Sequence, residues 1–170
     1  GGLLATQVAG GLNALIDHFT RGIISPLTPQ VVVRSTAGVV EELCKILAVV
    51  LVSKGLPVKN ARVGLFMGGA VGFGFSAFED MDYGVAAAHS TLFANSHFVS
   101  YLGTAIGRSV LGPFAHPIFT ALLAAALFAA VRNGRYRITL GVVGTYLLVA
   151  LVHGLVDSSG DYLGLLLHSH

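Results

Sequence analysis

Apolar residues fill five long stretches of the chain, and each is long enough to form a helix in or at a membrane. A spanning helix needs about 20 predominantly apolar residues. The pattern predicts helices over residues 3–24, 31–54, 61–79, 114–131 and 138–156. Between the third and fourth, residues 80–112 lack a clean apolar run of membrane length before Tyr101 and predict an interfacial or re-entrant helix.

Proline and glycine separate the first three helices. Pro26 and Pro29 lack backbone donors and disfavour the α conformation in the residues before them, so residues 25–29 are predicted to be a break. Lys54, Gly55 and Pro57 form a stop signal after the second helix. The first helix carries several polar residues, and its pattern fits a span, an interfacial helix or a cap on the bundle.

Charged residues interrupt the second helix in the middle of its apolar sequence. Glu41 and Glu42 are adjacent, and Lys45 follows one turn later. An ionisable group at mid-bilayer costs at least about 2.5 kcal/mol on insertion scales and is usually functional. We therefore take this cluster as the first candidate for a functional site. An ion pair between Glu41 and Lys45 that holds the bundle together is the structural alternative.

Small residues recur at every fourth position of the third helix, at Gly64, Gly68, Gly72 and Ser76. Such a ladder lets a second helix approach closely in lipid. Glu79 lies seven residues beyond Gly72 and therefore on nearly the same face. The pattern predicts that Glu79 points toward a neighbouring helix rather than toward lipid.

Basic residues indicate the orientation of the helices. Six of the ten Lys and Arg residues lie in two connections, at Lys54, Lys59, Arg62, Arg132, Arg135 and Arg137. By the positive-inside rule both connections are expected to be cytoplasmic. With these ends fixed, the rise per residue brings polar side chains of four helices to one depth, in the outer half of the membrane. They are Glu41, Glu42, Glu79, His116, His153 and Asp157.

Composition supports a membrane protein and excludes other classes. The chain of 170 residues is 54% hydrophobic and 11% charged, which a water-soluble domain could hardly carry without large exposed apolar patches. We expect an all-α, polytopic transmembrane bundle of about five to six membrane segments. It would form one domain over residues 1–170, with a motif core at about 30–160 and residues 1–29 as a peripheral or additional helix. A net charge of +2 gives no argument for nucleic acid, and one cysteine excludes an internal disulfide.

Four motifs in order on separate helices resemble those of the PrsW family of intramembrane proteases. They are Glu-Glu-x-x-Lys at Glu41–Lys45, Phe-x-x-x-Glu at Phe75–Glu79, an isolated histidine at His116, and His-x-x-x-Asp at His153–Asp157. The family is related to type-two CAAX prenyl proteases and bacteriocin-processing membrane proteases. Two features depart from the pattern: Pro117 follows His116 and places it at the helix cap, and Asp80 adds a charge beside Glu79.

The resemblance implies an endopeptidase in a multi-pass protein of the bacterial inner membrane. Its substrate would be a single-pass membrane protein or membrane peptide that is cut near the extracytoplasmic side. The resemblance implies that this substrate is of the anti-sigma-factor class and that the cut belongs to regulated proteolysis. Peptide hydrolysis needs an activated water, an oxyanion stabiliser and a proton for the leaving amine. We assign Glu41 as the base and Glu42 as its partner. His116 and His153 would stabilise the oxyanion or donate the proton, and Asp157 would orient His153. Glu79 would complete the catalytic set. Lys45 and Phe75 would support it.

A metal-dependent reaction is the alternative within the same family. Glutamate and histidine are zinc ligands, and the set would be Glu42, Glu79, His116 and His153, leaving Glu41 as base. No His-Glu-x-x-His sequence is present to decide between a divalent metal such as zinc and a metal-free site.

Two other classes of function use the same residues. A proton- or cation-coupled transporter could employ the buried glutamates and histidines as a relay, although the sequence shows no clear internal repeat. A non-catalytic protein that binds membrane peptides could retain the motifs as polar contacts that hold helices together. Transport by liposomes that contain only this protein, or binding without cleavage, would identify these alternatives.

Overall fold

The described part of the protein is all-helical. The computed structural model describes the backbone of residues 1–20, 29–89 and 114–168, and side chains within 1–19, 36–86 and 114–157. These residues form no strand. Their helices are α1 (Gly2–Thr20), α2 (Pro29–Val52), α3 (Ala61–His89), α4 (Ala115–Ala129) and α5 (Leu140–His168). The predicted all-α class is thereby confirmed for these residues, and the five predicted helices are all present.

Proline stands at or beside the start of two helices, and α2 begins two residues earlier than predicted, inside the predicted break. Helix α2 begins at Pro29, where the missing N–H needs no partner; the rest of the predicted break, residues 25–28, lies outside the described residues. Helix α4 begins at Ala115 after Phe114 as N-cap, so His116 and Pro117 occupy its first turn. His116 thus lies near the helix start as predicted, but the cap is Phe114, so the expectation that Pro117 places His116 at the cap is wrong.

Helix α3 is longer than predicted. It continues past Glu79 to His89, because this segment contains no proline and includes three consecutive alanines that favour helix. The interpretation of residues 80–112 as a separate interfacial or re-entrant helix is wrong for its first part, 80–89. Residues 90–113 lie outside the described residues. Helix α5 also extends beyond its predicted end, to His168.

The glycine ladder of α3 packs against α4. A Cβ on Gly64 would lie 2.5 Å from Ala124 O, and one on Gly72 would lie 2.5 Å from His116 O. Gly68 meets the backbone of Thr120 in the same way. Only glycine permits this approach, and the ladder therefore places His116 beside α3 at the level of Gly72.

A second close approach joins α2 to α5. A Cβ on Gly38 would collide with the backbone of Ala150 and Gly154 and would lie 3.1 Å from His153 Cβ. Tyr146 adds a hydrogen bond across the same interface, from its hydroxyl to Val39 O at 2.7 Å. Because Gly38 lies one turn before Glu41 and Glu42, this contact places His153 beside the two glutamates of α2.

The two basic connections lie at the same end of the bundle. The connection from α4 to α5 is a tight turn in which Asn133 and Gly134 have φ of 52° and 73°, as an Asn-Gly reverse turn requires. Paired backbone hydrogen bonds of 3.1 and 3.0 Å close it between Arg132 and Arg135. The Tyr136 hydroxyl then lies 2.6 Å from Ser53 Oγ, just after α2.

Large apolar side chains cover the outside of the helices. Leu148 and Leu151 on α5 are 62% and 61% exposed, and Phe66 and Phe73 on α3 are 66% and 61% exposed. Two described segments, Ala61–Ala86 and Leu140–Asp157, are long and apolar enough to cross a membrane. Helix α4 is shorter, with 15 residues. The outward apolar surface is what a membrane protein presents to lipid.

Candidate active site

Helices α2, α3, α4 and α5 bring the predicted polar residues into one buried cluster, the glutamate–histidine cluster. Glu42, Lys45 and His153 are at most 1% exposed, and Glu41 and His116 are 5% and 6% exposed. A cluster of ionisable groups at this depth demands mutual pairing, because each unpaired charge is expensive. All eight residues that the sequence singled out belong to it or touch it: Glu41, Glu42, Lys45, Phe75, Glu79, His116, His153 and Asp157.

Lys45 lies at the centre of the cluster. Its Nζ donates hydrogen bonds to Glu42 Oε1 at 2.9 Å and to His116 Nδ1 at 2.8 Å, and it lies 3.5 Å from Glu41 Oε2. The ring centroid of Phe75 is 4.0 Å from Nζ, within the range of a cation–π contact. Lys45 therefore supplies a fixed positive charge to both glutamates.

Glu42 uses both carboxylate oxygens within the cluster. Besides Lys45, its Oε1 accepts a hydrogen bond from His153 Nδ1 at 3.0 Å, and its Oε2 accepts one from Thr120 Oγ1 at 3.4 Å. Because Nδ1 of His153 donates to Glu42, the other ring nitrogen, Nε2, faces the remaining groups. Glu42 therefore orients the His153 ring through Nδ1 and leaves Nε2 directed away from Glu42.

His116 has a defined hydrogen-bonding pattern. An ammonium can only donate, so Nδ1 of His116 accepts from Lys45, and the proton of a neutral ring lies on Nε2. That nitrogen lies 3.0 Å from Glu79 Oε2, and the proton is donated there. The predicted orientation of Glu79 toward a helix neighbour is thus what the structure shows.

Glu41 and His153 each keep one buried atom that makes no hydrogen bond to the described residues, and these two atoms face each other. Glu41 Oε2 and His153 Nε2 are buried and have no hydrogen-bond partner in the described part of the chain. They lie 3.5 Å apart. Asp157 Oδ2 lies 3.3 Å from the same nitrogen, and its side chain is 31% exposed. Buried polar atoms without partners are rare and often mark a functional site.

Three further residues contact the cluster and were missed from the sequence. Thr120 lies one turn beyond His116 on the same face of α4, a spacing that could have identified it. Phe119 packs its ring 5.5 Å from that of His153. Asn13 of α1 donates from Nδ2 to Glu41 Oε1 at 3.3 Å, and no motif in the first helix pointed to this contact.

The residues fit a divalent metal, with a ligand set that differs from the predicted one. Glu41, His116 and His153 each offer one ligand atom, and these atoms lie within 4.8 Å of one another. The unpaired Glu41 Oε2 and His153 Nε2 are of the donor types that zinc prefers. Glu42 and Glu79, predicted as ligands, do not belong to this set: Glu42 is engaged by Lys45, His153 and Thr120, and Glu79 contacts His116. To join the set, His116 would exchange its contact with Lys45 or with Glu79.

The all-helical fold of the described residues, with its apolar exterior and buried glutamate–histidine cluster, is that of a membrane protein with a buried polar site. A family model described as the PrsW family intramembrane metalloprotease matches residues 1–168. The chain therefore belongs to that family and is a membrane protein of the intramembrane protease class. Comparison with curated proteins and with solved structures gave no match.

Proposed function

We propose that the protein hydrolyses a peptide bond of a single-pass membrane protein, with Glu41 and His153 at the reacting atoms. The observation that carries this proposal is a pair of buried atoms without a hydrogen bond in the described structure, Glu41 Oε2 and His153 Nε2, which lie 3.5 Å apart. One water that contacts both atoms from the side would lie within hydrogen-bond reach of a carboxylate and an imidazole, which is what general base catalysis needs. Membership of the PrsW family supports the same reaction.

The contacts of the two glutamates favour different roles for them. Both oxygens of Glu42 accept hydrogen bonds inside the cluster, whereas Glu41 keeps one oxygen without a donor. Glu41 Oε2 takes a proton from water as the water oxygen bonds to the carbonyl carbon. The same proton then passes to the leaving nitrogen as the C–N bond breaks. The products are a carboxylic acid and an amine, so atoms balance.

His153 has two compatible roles, which depend on the state of Nε2. With a proton on both ring nitrogens, Nε2 donates to the oxyanion that forms on the scissile carbonyl. With Nε2 unprotonated, Glu41, His116 and His153 would be able to hold a divalent metal instead, and Glu41 would then be a ligand rather than the base. Such an ion would act as a Lewis acid and make water more acidic. In both cases Glu42 keeps the ring oriented through Nδ1.

The depth of the cluster supports cleavage toward the extracytoplasmic side. At ~1.5 Å per residue, Glu79 lies ~27 Å along α3 from its start at the basic connections, and His153 lies ~20 Å along α5 from the same end. His116 is in the first turn of α4, at the far end from Arg132. If those connections are cytoplasmic, the reacting atoms lie in the outer half of a multi-pass bundle of about five to six membrane segments. The proposal includes this topology. It also includes a location in the bacterial inner membrane and an anti-sigma factor as the substrate.

Reconstitution with single-pass membrane peptides tests the proposal. The peptides are incubated with the protein in proteoliposomes made up in ¹⁸O-labelled water, and the products are read by mass spectrometry. We expect one new C-terminus that carries one ¹⁸O, at a bond in the outer half of the peptide. Alanine at Glu42, His116 or His153 should abolish the product while the protein still folds.

Metal dependence is read from the same preparation. Metal content of the purified protein, compared with that of Glu41→Gln and His153→Ala, distinguishes the two forms of the reaction. Binding without any cleavage, or proton or cation flux in liposomes that lack peptide, would contradict the proposal.

A further inference from the structure

Helix α1 brings an amide to the glutamate–histidine cluster from outside the four motifs. Asn13 Nδ2 donates a hydrogen bond to Glu41 Oε1 at 3.3 Å. Its other polar atom, Oδ1, is buried and has no hydrogen-bond partner within the described ranges. Asn13 thus contacts the same carboxyl group whose second oxygen, Oε2, is the unpaired one.

Contacts elsewhere along α1 hold Asn13 in this register. Thr6 Oγ1 donates to Phe75 O on α3 at 3.4 Å, and Gly2 packs against the backbone of Gly74 and Phe75. Ala9 is 1% exposed. Thr6, Ala9 and Asn13 share one face of the helix because they lie three to seven residues apart. The face of α1 that packs against the bundle therefore carries Asn13 to Glu41 of α2.

Asn13 and Lys45 act on Glu41 from different sides. Lys45 Nζ lies 3.5 Å from Oε2 without a hydrogen bond to that oxygen, while Asn13 holds Oε1. Without the amide, the carboxylate would be free to turn toward the ammonium, since a charge-assisted hydrogen bond is the stronger contact. Oε2 would then no longer face His153.

We propose that Asn13 is a positioning residue, which fixes Glu41 Oε1 so that Oε2 stays directed at His153 and the substrate water. This inference rests on the proposed function, in which Glu41 is the base. It makes α1 part of the catalytic apparatus rather than a peripheral helix. Asn13 acts through Glu41 and touches no reacting atom itself.

Steady-state cleavage by Asn13 variants tests the proposal. Asn13→Asp keeps the shape but removes the donor, Asn13→Leu removes both polar atoms, and Asn13→Gln keeps an amide on a longer side chain. We expect kcat to fall about 10- to 100-fold in the first two, as for a lost hydrogen bond to a charged group, with KM within about twofold. Asn13→Gln should recover part of the loss. Gln7→Leu, an amide replacement on the exposed side of the same helix, should keep the wild-type kcat.

The isosteric aspartate variant decides the outcome if the leucine variant fails to fold. A kcat within twofold of wild type for Asn13→Asp overturns the positioning role and leaves the proposed function intact. If the wild-type protein cleaves no peptide, the proposed function fails, and the contact is judged by unfolding in mixed micelles. There, additive effects of Asn13→Leu and Glu41→Gln overturn the contact, whereas non-additive effects support it.

Discussion

Removal of the central cation should destabilise the protein strongly. Lys45 is fully buried and lies within 3.5 Å of both glutamates of α2 and 2.8 Å from His116. Lys45→Met preserves most of the side-chain volume but leaves two carboxylates without their ammonium. Breaking a buried ion pair by removing one partner costs about 3–5 kcal/mol. We expect the free energy of unfolding to fall by about that amount.

Unfolding of the purified protein in mixed micelles, followed by circular dichroism, measures this loss. Lys54→Met is the matched control, because Lys54 is exposed just beyond the end of α2, and it should change stability by no more than about 0.5 kcal/mol. The double variant Glu42→Gln with Lys45→Met removes one stranded charge. It should therefore be less destabilised than the sum of its single variants.

Two results would refute this reasoning. One is a Lys45→Met protein as stable as the Lys54→Met control. The other is strict additivity between Lys45→Met and Glu42→Gln, since a hydrogen-bonded pair at 2.9 Å must show coupling. Either result would mean that the cation at the centre of the cluster does not stabilise the carboxylates around it.

Two further variants test how the cluster is positioned. Gly72→Ala places a Cβ 2.5 Å from His116 O, so it should lower the free energy of unfolding by about 1–3 kcal/mol and slow cleavage. Gly69→Ala is the control, because its Cβ meets nothing nearer than 4.0 Å and should change neither quantity. Equal stability of the two variants in micelle unfolding would contradict the close α3–α4 contact. Thr120→Val removes the donor to Glu42 Oε2 and should reduce the cleavage rate about threefold to tenfold, with Thr120→Ser near wild type. An unchanged rate in Thr120→Val would show that this hydrogen bond is dispensable.

Helix positions and the cluster could be predicted because both depend on regular spacing. The small-residue ladder of α3 predicted a close helix neighbour, which is α4. Glu79 lies seven residues after Gly72, on the same face of α3, and it therefore contacts His116 of that neighbour. Charge in an apolar run is costly enough to point to a site without any structure. These inferences need only the geometry of one helix at a time.

Contacts that depend on which helices are neighbours could not be predicted in the same way. The extension of α3 past Asp80 differs from the prediction because Asp80 and Asp82 interrupt the apolar run without breaking the helix. Asn13 reaches Glu41 only because α1 packs beside α2, and its own sequence gives no sign of that partner. The candidate ligand set Glu41, His116 and His153 differs from the predicted one because hydrogen bonds from Lys45 and Thr120, which the sequence does not show, occupy Glu42.

The initial cleavage rate of Glu41→Gln in proteoliposomes tests the central claim most directly. This variant keeps the shape of the side chain and an acceptor for Asn13, but it cannot take a proton from water. With folding verified by micelle unfolding, we predict a rate at least about 100-fold below wild type, as for loss of a general base. A folded Glu41→Gln protein that cleaves within threefold of the wild-type rate would contradict the assignment of Glu41 as the base.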